Sequence, residues 1–156
     1  MISPDDINEL THLGSEETFY EYAGANPKLL ETFLNQFPER LYSVVYETEE
    51  FTSLCPKTGQ PDFAKITITY SPKDLCVETK SLKLYLGSYR QHQSFMETIT
   101  NNILTDLVNI CNPHFMSVVA HFRARGGTTV QVDAHYYSQG PNRTMDPAYV
   151  VPQRAL

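Results

Sequence analysis

The chain has 156 residues, a length that suits one domain able to bury a real core. Its 41% hydrophobic and 19% charged content, without low-complexity tracts, excludes a disordered or fibrous chain. With 12 basic against 18 acidic side chains the formal charge is −6; this disfavours a surface that grips a nucleic-acid backbone, where phosphate contacts dominate affinity.

The opening run "MISPDDINEL" carries acids in place of a basic n-region, and no apolar stretch follows, so it does not read as a signal peptide. No apolar run is long enough for a membrane-spanning helix. Cysteines at 55, 76 and 111 match neither a disulfide framework nor a CxxC zinc site. Reduced thiols in a cytoplasmic protein are expected.

Residues 1–38 read as a polar lead segment with one helical piece, "NPKLLETFLNQF", where Leu29, Leu30, Phe33 and Phe37 recur at helical spacing. The aromatic and β-branched run "RLYSVVYET" at 40–48 predicts a strand. A loop with two prolines and a glycine follows, "CPKTGQPD" at 55–62. "FAKITITYS" then alternates Phe63, Ile66, Ile68 and Tyr70 as a second strand. "ETKSLKLYLGSYR" at 78–90 is ambiguous: Leu82, Leu84 and Leu86 alternate, yet Leu82, Tyr85, Leu86 and Tyr89 share a helical face. Over 94–111 the stripe Phe95, Ile99, Ile103, Leu107, Ile110 predicts a helix, with Ser94 and Glu97 as its capping box.

"CNP" breaks that helix. "HFMSVVAHFRAR" then alternates Met116, Val118, Ala120 and Phe122, "GG" at 126–127 supplies a tight turn, and "TTVQVDAHYY" returns as the partner strand. The tail from 138 to 156 is expected to be irregular, and no repeat is visible. The fold class is α+β with a mostly antiparallel sheet, treated as one domain over 1–156. A sheet of about four strands leaves open edges, which favours oligomerisation.

Cys55 lies in a Pro/Gly-shaped loop, where a partly exposed thiol with Lys57 nearby can act as a nucleophile. The plainer reading is a small buried hydrophobe, which also covers Cys76 and Cys111. Asp62 is either a turn residue or, if the loop folds back, an acid within reach of the thiol's substrate. His12, His92, His114, His121 and His135 show no HxH or HExxH spacing, so no metal site is expected. There is no GxGxxG after a strand for a Rossmann-type site. Lys80, Lys83, Arg90, Arg123 and Arg125 could face a phosphorylated cofactor or only solvent. "RGG" at 125–127 reads as a turn, and the sequon "NRT" at 142–144 carries no weight without a secretion signal.

Taken together, "FTSLCPKTGQPDF" (51–63), "ETKSLKLYLGSYR" (78–90), "SFME" (94–97) and "RARGG" (123–127) closely resemble the NADPH-dependent 7-cyano-7-deazaguanine reductases. These are the short, single-module nitrile reductases of the queuosine pathway of tRNA modification. The likeness runs from about residue 40 to 137. It implies a tunnelling fold (T-fold) with a β-β-α-α-β-β core, in which 80–89 is the first of two helices. It also implies a homo-oligomer, a decamer of two pentameric rings with sites between subunits. Cys55 matches the nucleophile that adds to the nitrile carbon to form a thioimide, and Asp62 the proton donor to the nitrile nitrogen. Val77, Glu78, Thr79, Phe95, Met96 and Glu97 match the substrate pocket, with the two glutamates holding the deazaguanine base. Lys80, Ser81 and Lys83 match the NADPH run, and Arg125 would stand beside it as a phosphate partner. No metal, direct nucleic-acid contact or membrane contact is implied.

Two positions depart from the family pattern. Residue 79 is Thr where Ser or Leu is usual, and residue 96 is Met where many members have a His; a thioether cannot shuttle a proton. His92 is one candidate to replace that group. Two other readings stand beside the reductase: a T-fold enzyme that forms an amidine on 7-cyano-7-deazaguanine in tRNA, and a non-catalytic purine- or pterin-binding module. A zinc-dependent cyclohydrolase lacks its ligands here.

Overall fold

In the computed structural model residues 23–138 are described; the lead segment to residue 22 with His12, and the tail from 139 with the 142–144 sequon, lie outside the described residues. The elements are β1 (Thr32–Leu34), β2 (Val44–Leu54), β3 (Pro61–Ser71), β4 (Leu75–Val77), α1 (Thr79–Ser88), α2 (Met96–Cys111), β5 (Phe115–Arg125) and β6 (Thr128–Tyr137). A four-stranded antiparallel sheet runs β2-β3-β5-β6, and β1 pairs with β4 in a separate two-stranded sheet. Both α helices occur between the two hairpins, the α+β arrangement that the sequence predicts. No described helix is long and apolar enough to cross a membrane.

Period-two alternation sends Ala64, Ile66, Ile68 and Tyr70 of β3 to the helix side. Phe122, Ala120, Val118 and Met116 of β5 stand opposite them in the same order. Ile99, Ile103 and Leu107 of α2, at 0%, 0% and 1% exposure, join the same cluster. Each such side chain contributes about 1.5–3 kcal/mol by leaving water. Phe63 has the wrong parity for that face and is 51% exposed.

The 78–90 run resolves as a helix. Leu82, Tyr85 and Tyr89 are buried together, while Leu86 is only half-buried. At the end of α2, Asn112 takes the left-handed conformation with φ 41°, a C-terminal signal strengthened by the following Pro113. Gly126 and Gly127, with φ 59° and 79°, make the two-residue turn between β5 and β6.

Three expectations change. The predicted helix in "NPKLLETFLNQF" is a single 3-10 turn, Pro27–Leu29, followed by β1. Its four-residue stripe does not form, because only Leu30 is buried. Backbone groups in this segment bond elsewhere: Glu31 O accepts from Glu78 N at 2.9 Å and Asn35 N donates to Asp74 O at 2.8 Å. Tertiary pairing has overridden a local period. The first long strand begins at Val44 and runs to Leu54 rather than over 40–48, so the "CPKTGQPD" turn is the tip of a long hairpin. The Ser94–Glu97 capping box is absent: α2 starts one residue later, with Phe95 as N-cap and no side-chain cap bond.

Candidate active site

Cys55 follows the last residue of β2. Its N–H donates to Gln60 O at 2.9 Å, and Gly59 N donates to Cys55 O at 2.9 Å. The turn therefore folds back tightly, with Gly59 at φ 67°, a left-handed angle that a β-carbon would strain. The loop is not open: Cys55 is only 7% exposed. Its thiol is drawn down to about 7, first by the Thr58 hydroxyl, then by the backbone N–H groups of Thr58 and Lys57. Arg125 adds to this, and burial acts in the opposite direction. A thiolate held by several donors is populated at neutral pH, as a nucleophile requires. Cys111 shows the contrast: burial pushes its thiol up to about 12.

Asp62 returns along β3 opposite Ser53, on the helix-facing side, and is 6% exposed. Thr52 Oγ1 donates to its carbonyl at 3.0 Å. Its carboxylate Oδ1 accepts from Arg125 Nη1 at 2.8 Å. Arg125 reaches it from the end of β5, where the register with β6 shifts between Phe122 and Arg125. Three sequence-predicted residues, Cys55, Asp62 and Arg125, thus meet in one place. Arg125 bonds the acid directly and helps to draw the thiol down, although the sequence suggested a cofactor phosphate as its partner.

The connection into α2 runs beside this cluster. Leu54 N donates to His92 O at 2.9 Å, and Ser94 N donates to Leu54 O at 3.2 Å. These bonds set Phe95, Met96 and Glu97 next to the end of β2. Phe95 is 60% exposed and Glu97 is exposed in the first helical turn, whereas Met96 is half-buried against the core. His92 is occupied elsewhere: its Nδ1 accepts from Ala25 N at 3.5 Å and its ring stands edge-on to Tyr89. It anchors the entering chain.

The remaining predicted residues lie at the opposite end of the sheet. Val77 N donates to Tyr70 Oη at 3.0 Å, and Tyr46 Oη donates to Val77 O at 2.9 Å. Tyr70 is eight residues along β3 from Asp62, about 26 Å at the usual strand rise. The neighbourhood of Cys111, the last residue of α2, and Cys76 of β4 marks the same end. Here Glu78 caps α1, accepting from Lys80 N at 2.8 Å and Ser81 N at 2.6 Å. Thr79 and Lys83 are exposed, and Lys80 is half-buried. Ser81 turns inward: at 0% exposure its hydroxyl donates to Glu78 O at 2.8 Å and accepts from Glu31 N at 3.0 Å.

Sequence reasoning missed Thr58. The signal was present, a hydroxyl three positions after a thiol in a glycine turn, but only the folded turn aims it at sulfur. Among the described residues no group of three or more His, Cys, Asp or Glu side chains could hold a metal.

The chain is similar to known proteins. The family model described as QueF-like protein matches residues 61–141. An NADPH-dependent 7-cyano-7-deazaguanine reductase of Desulfovibrio desulfuricans is 48% identical over 138 residues, 88% of this chain and 83% of the relative. Reductases of the same name from Streptococcus thermophilus and Nitrosococcus oceani are 47% identical over 146 residues and 52% over 111. These alignments cover 92% and 71% of this chain and 86% of each relative. Among solved structures, the apo form of the archaeosine synthase QueF-Like aligns with a TM-score of 0.56 at 21% identity, over 65% of this chain and 96% of that one; this likeness concerns the fold alone. On these matches the chain belongs to the QueF-like protein family.

Proposed function

We propose that this chain is an NADPH-dependent oxidoreductase. It reduces the nitrile 7-cyano-7-deazaguanine to the primary amine 7-aminomethyl-7-deazaguanine, in the queuosine pathway of tRNA modification. The observation that carries the reading is the hairpin tip: a thiol drawn down to about 7 beside a buried carboxyl held by Arg125.

The Cys55 thiolate adds to the nitrile carbon. One carbon–sulfur bond forms, one carbon–nitrogen π bond breaks, and the nitrogen takes a proton from Asp62, which leaves a thioimide on the protein. A thioimide accepts hydride far more readily than a nitrile, so covalent catalysis divides one hard step. NADPH, when bound, supplies the hydrides, two equivalents for the four electrons. Between the two hydrides the nitrogen lone pair re-forms a carbon–nitrogen double bond as the electron pair of the carbon–sulfur bond returns to sulfur. This frees the Cys55 thiolate and leaves an imine; the second hydride and a proton take that imine to the amine. Lys80 and Lys83, three positions apart on α1, share a helix face and suit an anionic cofactor. Ser81 supports that run from inside, through the α1 start.

Glu97 and Glu78 are the base readers, each able to accept from guanine-type N–H groups as a charge-assisted pair. They lie about a sheet's length apart in one protomer, so one base reaches both only if the second comes from another copy. Substrate contacts by Val77, Thr79, Phe95 and Met96 divide in the same way. That separation supports a homo-oligomer; the reading takes from the family resemblance its form as two pentameric rings in the cytoplasm, joined through the open β2 and β6 edges, without direct nucleic-acid or membrane contact.

The test is to mix protein with 7-cyano-7-deazaguanine, record the intact mass, and follow NADPH absorbance. The expected result is an adduct that is lost in Cys55→Ala, with substrate-dependent NADPH oxidation. An adduct without NADPH oxidation would favour the amidine-forming reading. No adduct would favour a binding module.

A further inference from the structure

We propose that Ser53 is a further positioning residue of this site: its buried hydroxyl hydrogen-bonds the Asp62 carboxyl when the nitrile is bound, aiming that carboxyl at the nitrile nitrogen. The proposal rests on the nitrile-addition reading above.

Strand parity puts Phe51, Ser53 and Cys55 on one side of the hairpin, where all three are buried. Ser53 is 0% exposed, and its Oγ has no hydrogen-bond partner among the described residues. A buried hydroxyl left in that state is costly and calls for a reason, since alanine would fill the space without it. Ser53 is the direct cross-strand partner of Asp62, an arrangement that sets the two β-carbons about 5 Å apart. From there a serine Oγ reaches a carboxyl oxygen by one rotamer change.

The other restraints on Asp62 come from elsewhere. Thr52 fixes its backbone, and Arg125 approaches its carboxylate from β5. Delivery of a proton to a nitrogen growing at the Cys55-bound carbon requires the carboxyl to turn toward the thiol. Ser53 stands on that side, between Phe51 and Cys55. A hydroxyl both donates and accepts, so it suits the carboxyl before and after the proton has left. Ser71 and Ser117 also have unpartnered hydroxyls. They stand opposite Phe115 and Thr69, on the other sheet face, far from the thiol.

The experiment compares wild type, Ser53→Ala and Ser53→Thr. The readouts are thermal melting, the affinity of 7-cyano-7-deazaguanine for each protein on a Cys55→Ala background, and the pH profile of adduct formation. Ser53→Ala should melt at the same or a higher temperature, because it removes an unpartnered buried group. It should bind substrate as before but form the adduct about tenfold more slowly. The limb of the profile that Asp62→Asn abolishes should move to higher pH, since a donor to the carboxylate has gone. Ser53→Thr, which keeps the hydroxyl, should restore the profile. A lower melting temperature with an unmoved limb would make Ser53 structural and overturn the proposal, as would an unchanged rate. If Ser53→Ala failed to fold, an unmoved limb in Ser53→Gly would overturn it equally. No adduct with wild type would instead sink the reading of the site itself.

Discussion

Arg125 Nη1 lies 2.8 Å from Asp62 Oδ1, joining the end of β5 to the start of β3 across 63 positions of sequence. The acid is 5% exposed at its side chain and the guanidinium 37%, so the pair is protected on one side only. Arg125 also donates toward the Cys55 thiol. One cation therefore serves both the nucleophile and the acid.

Replacing Arg125 with alanine should slow adduct formation at neutral pH by about 10- to 100-fold, because the Cys55 thiolate loses a cation that helps to hold it and the Asp62 carboxyl loses the partner that fixes its position. Stability should fall by about 1–2 kcal/mol, less than for a fully buried pair because the arginine is partly solvated. Stopped-flow or mass-spectrometric adduct kinetics without NADPH make the check. Were Arg125 only a cofactor-phosphate partner, adduct formation would survive and the KM for NADPH alone would rise.

Alkylation of Cys55 by iodoacetamide should climb through a midpoint near the value of about 7 set by Thr58 and its neighbours. Thr58→Val removes the hydroxyl, the largest of those influences, and should move the midpoint up toward the ordinary thiol value of 9.0. The sign for folding follows from linkage. A thiol whose folded value is depressed contributes stability that is fully present above its unfolded value and is lost as pH falls through about 7. Melting of wild type minus Cys55→Ala across pH 6–9 should therefore show wild type gaining with rising pH. A flat difference would mean the donors do not hold a thiolate.

Much of this was legible in the residues. The α2 stripe from Ile99 to Leu107, the Gly126–Gly127 turn and the alternation of β5 are local patterns, and the structure follows them; Phe95, read as the first member of that stripe, instead caps the helix and is 60% exposed. The 3-10 turn at Pro27–Leu29 and the short β1 were not legible, because the backbone partners of this segment are remote in sequence: Asn35 bonds Asp74 and Glu31 bonds Glu78, about forty positions or more away. Cys55 and Asp62 could be named from one loop. That Arg125 bonds Asp62 depended on β-register across the whole sheet, and that Glu78 caps a helix far from Cys55 depended on where β4 docks. Spacing along the chain carries neither.

Glu78 has two duties. Its carboxylate accepts two α1 N–H groups, and the base-reading role asks for its remaining lone pairs. Glu78→Ala should cost about 1 kcal/mol of stability from the lost cap, lowering the melting temperature by about 2–4 °C for a chain of this size. Glu78→Asp keeps a capping carboxylate on a shorter stem, so it should recover stability while substrate affinity stays impaired. Melting and isothermal titration with 7-cyano-7-deazaguanine separate the two effects. Recovery of both together would leave the cap as the whole role of Glu78.

Glu78 lies at the Tyr70 end of β3 and Cys55 at the Asp62 end, ends about 26 Å apart along the strand, and this separation makes the strongest demand on the assembly. If one protomer supplies the thiol and another the second base reader, Cys55→Ala and Glu78→Gln each disable every site in a pure oligomer. Subunits unfolded together and reassembled in a 1:1 mixture form random interfaces. About a quarter of these then join an intact Cys55 to an intact Glu78, because each site draws one contribution from either side of an isologous or ring contact. NADPH oxidation should accordingly return to about a quarter of the wild-type rate per site, while mixtures of native-folded variants that do not exchange stay inactive. Absence of recovery in co-refolded oligomers of native size would mean that a single protomer holds the whole site. Glu78 would then have to act on the fold, through its cap on α1, and not on the base.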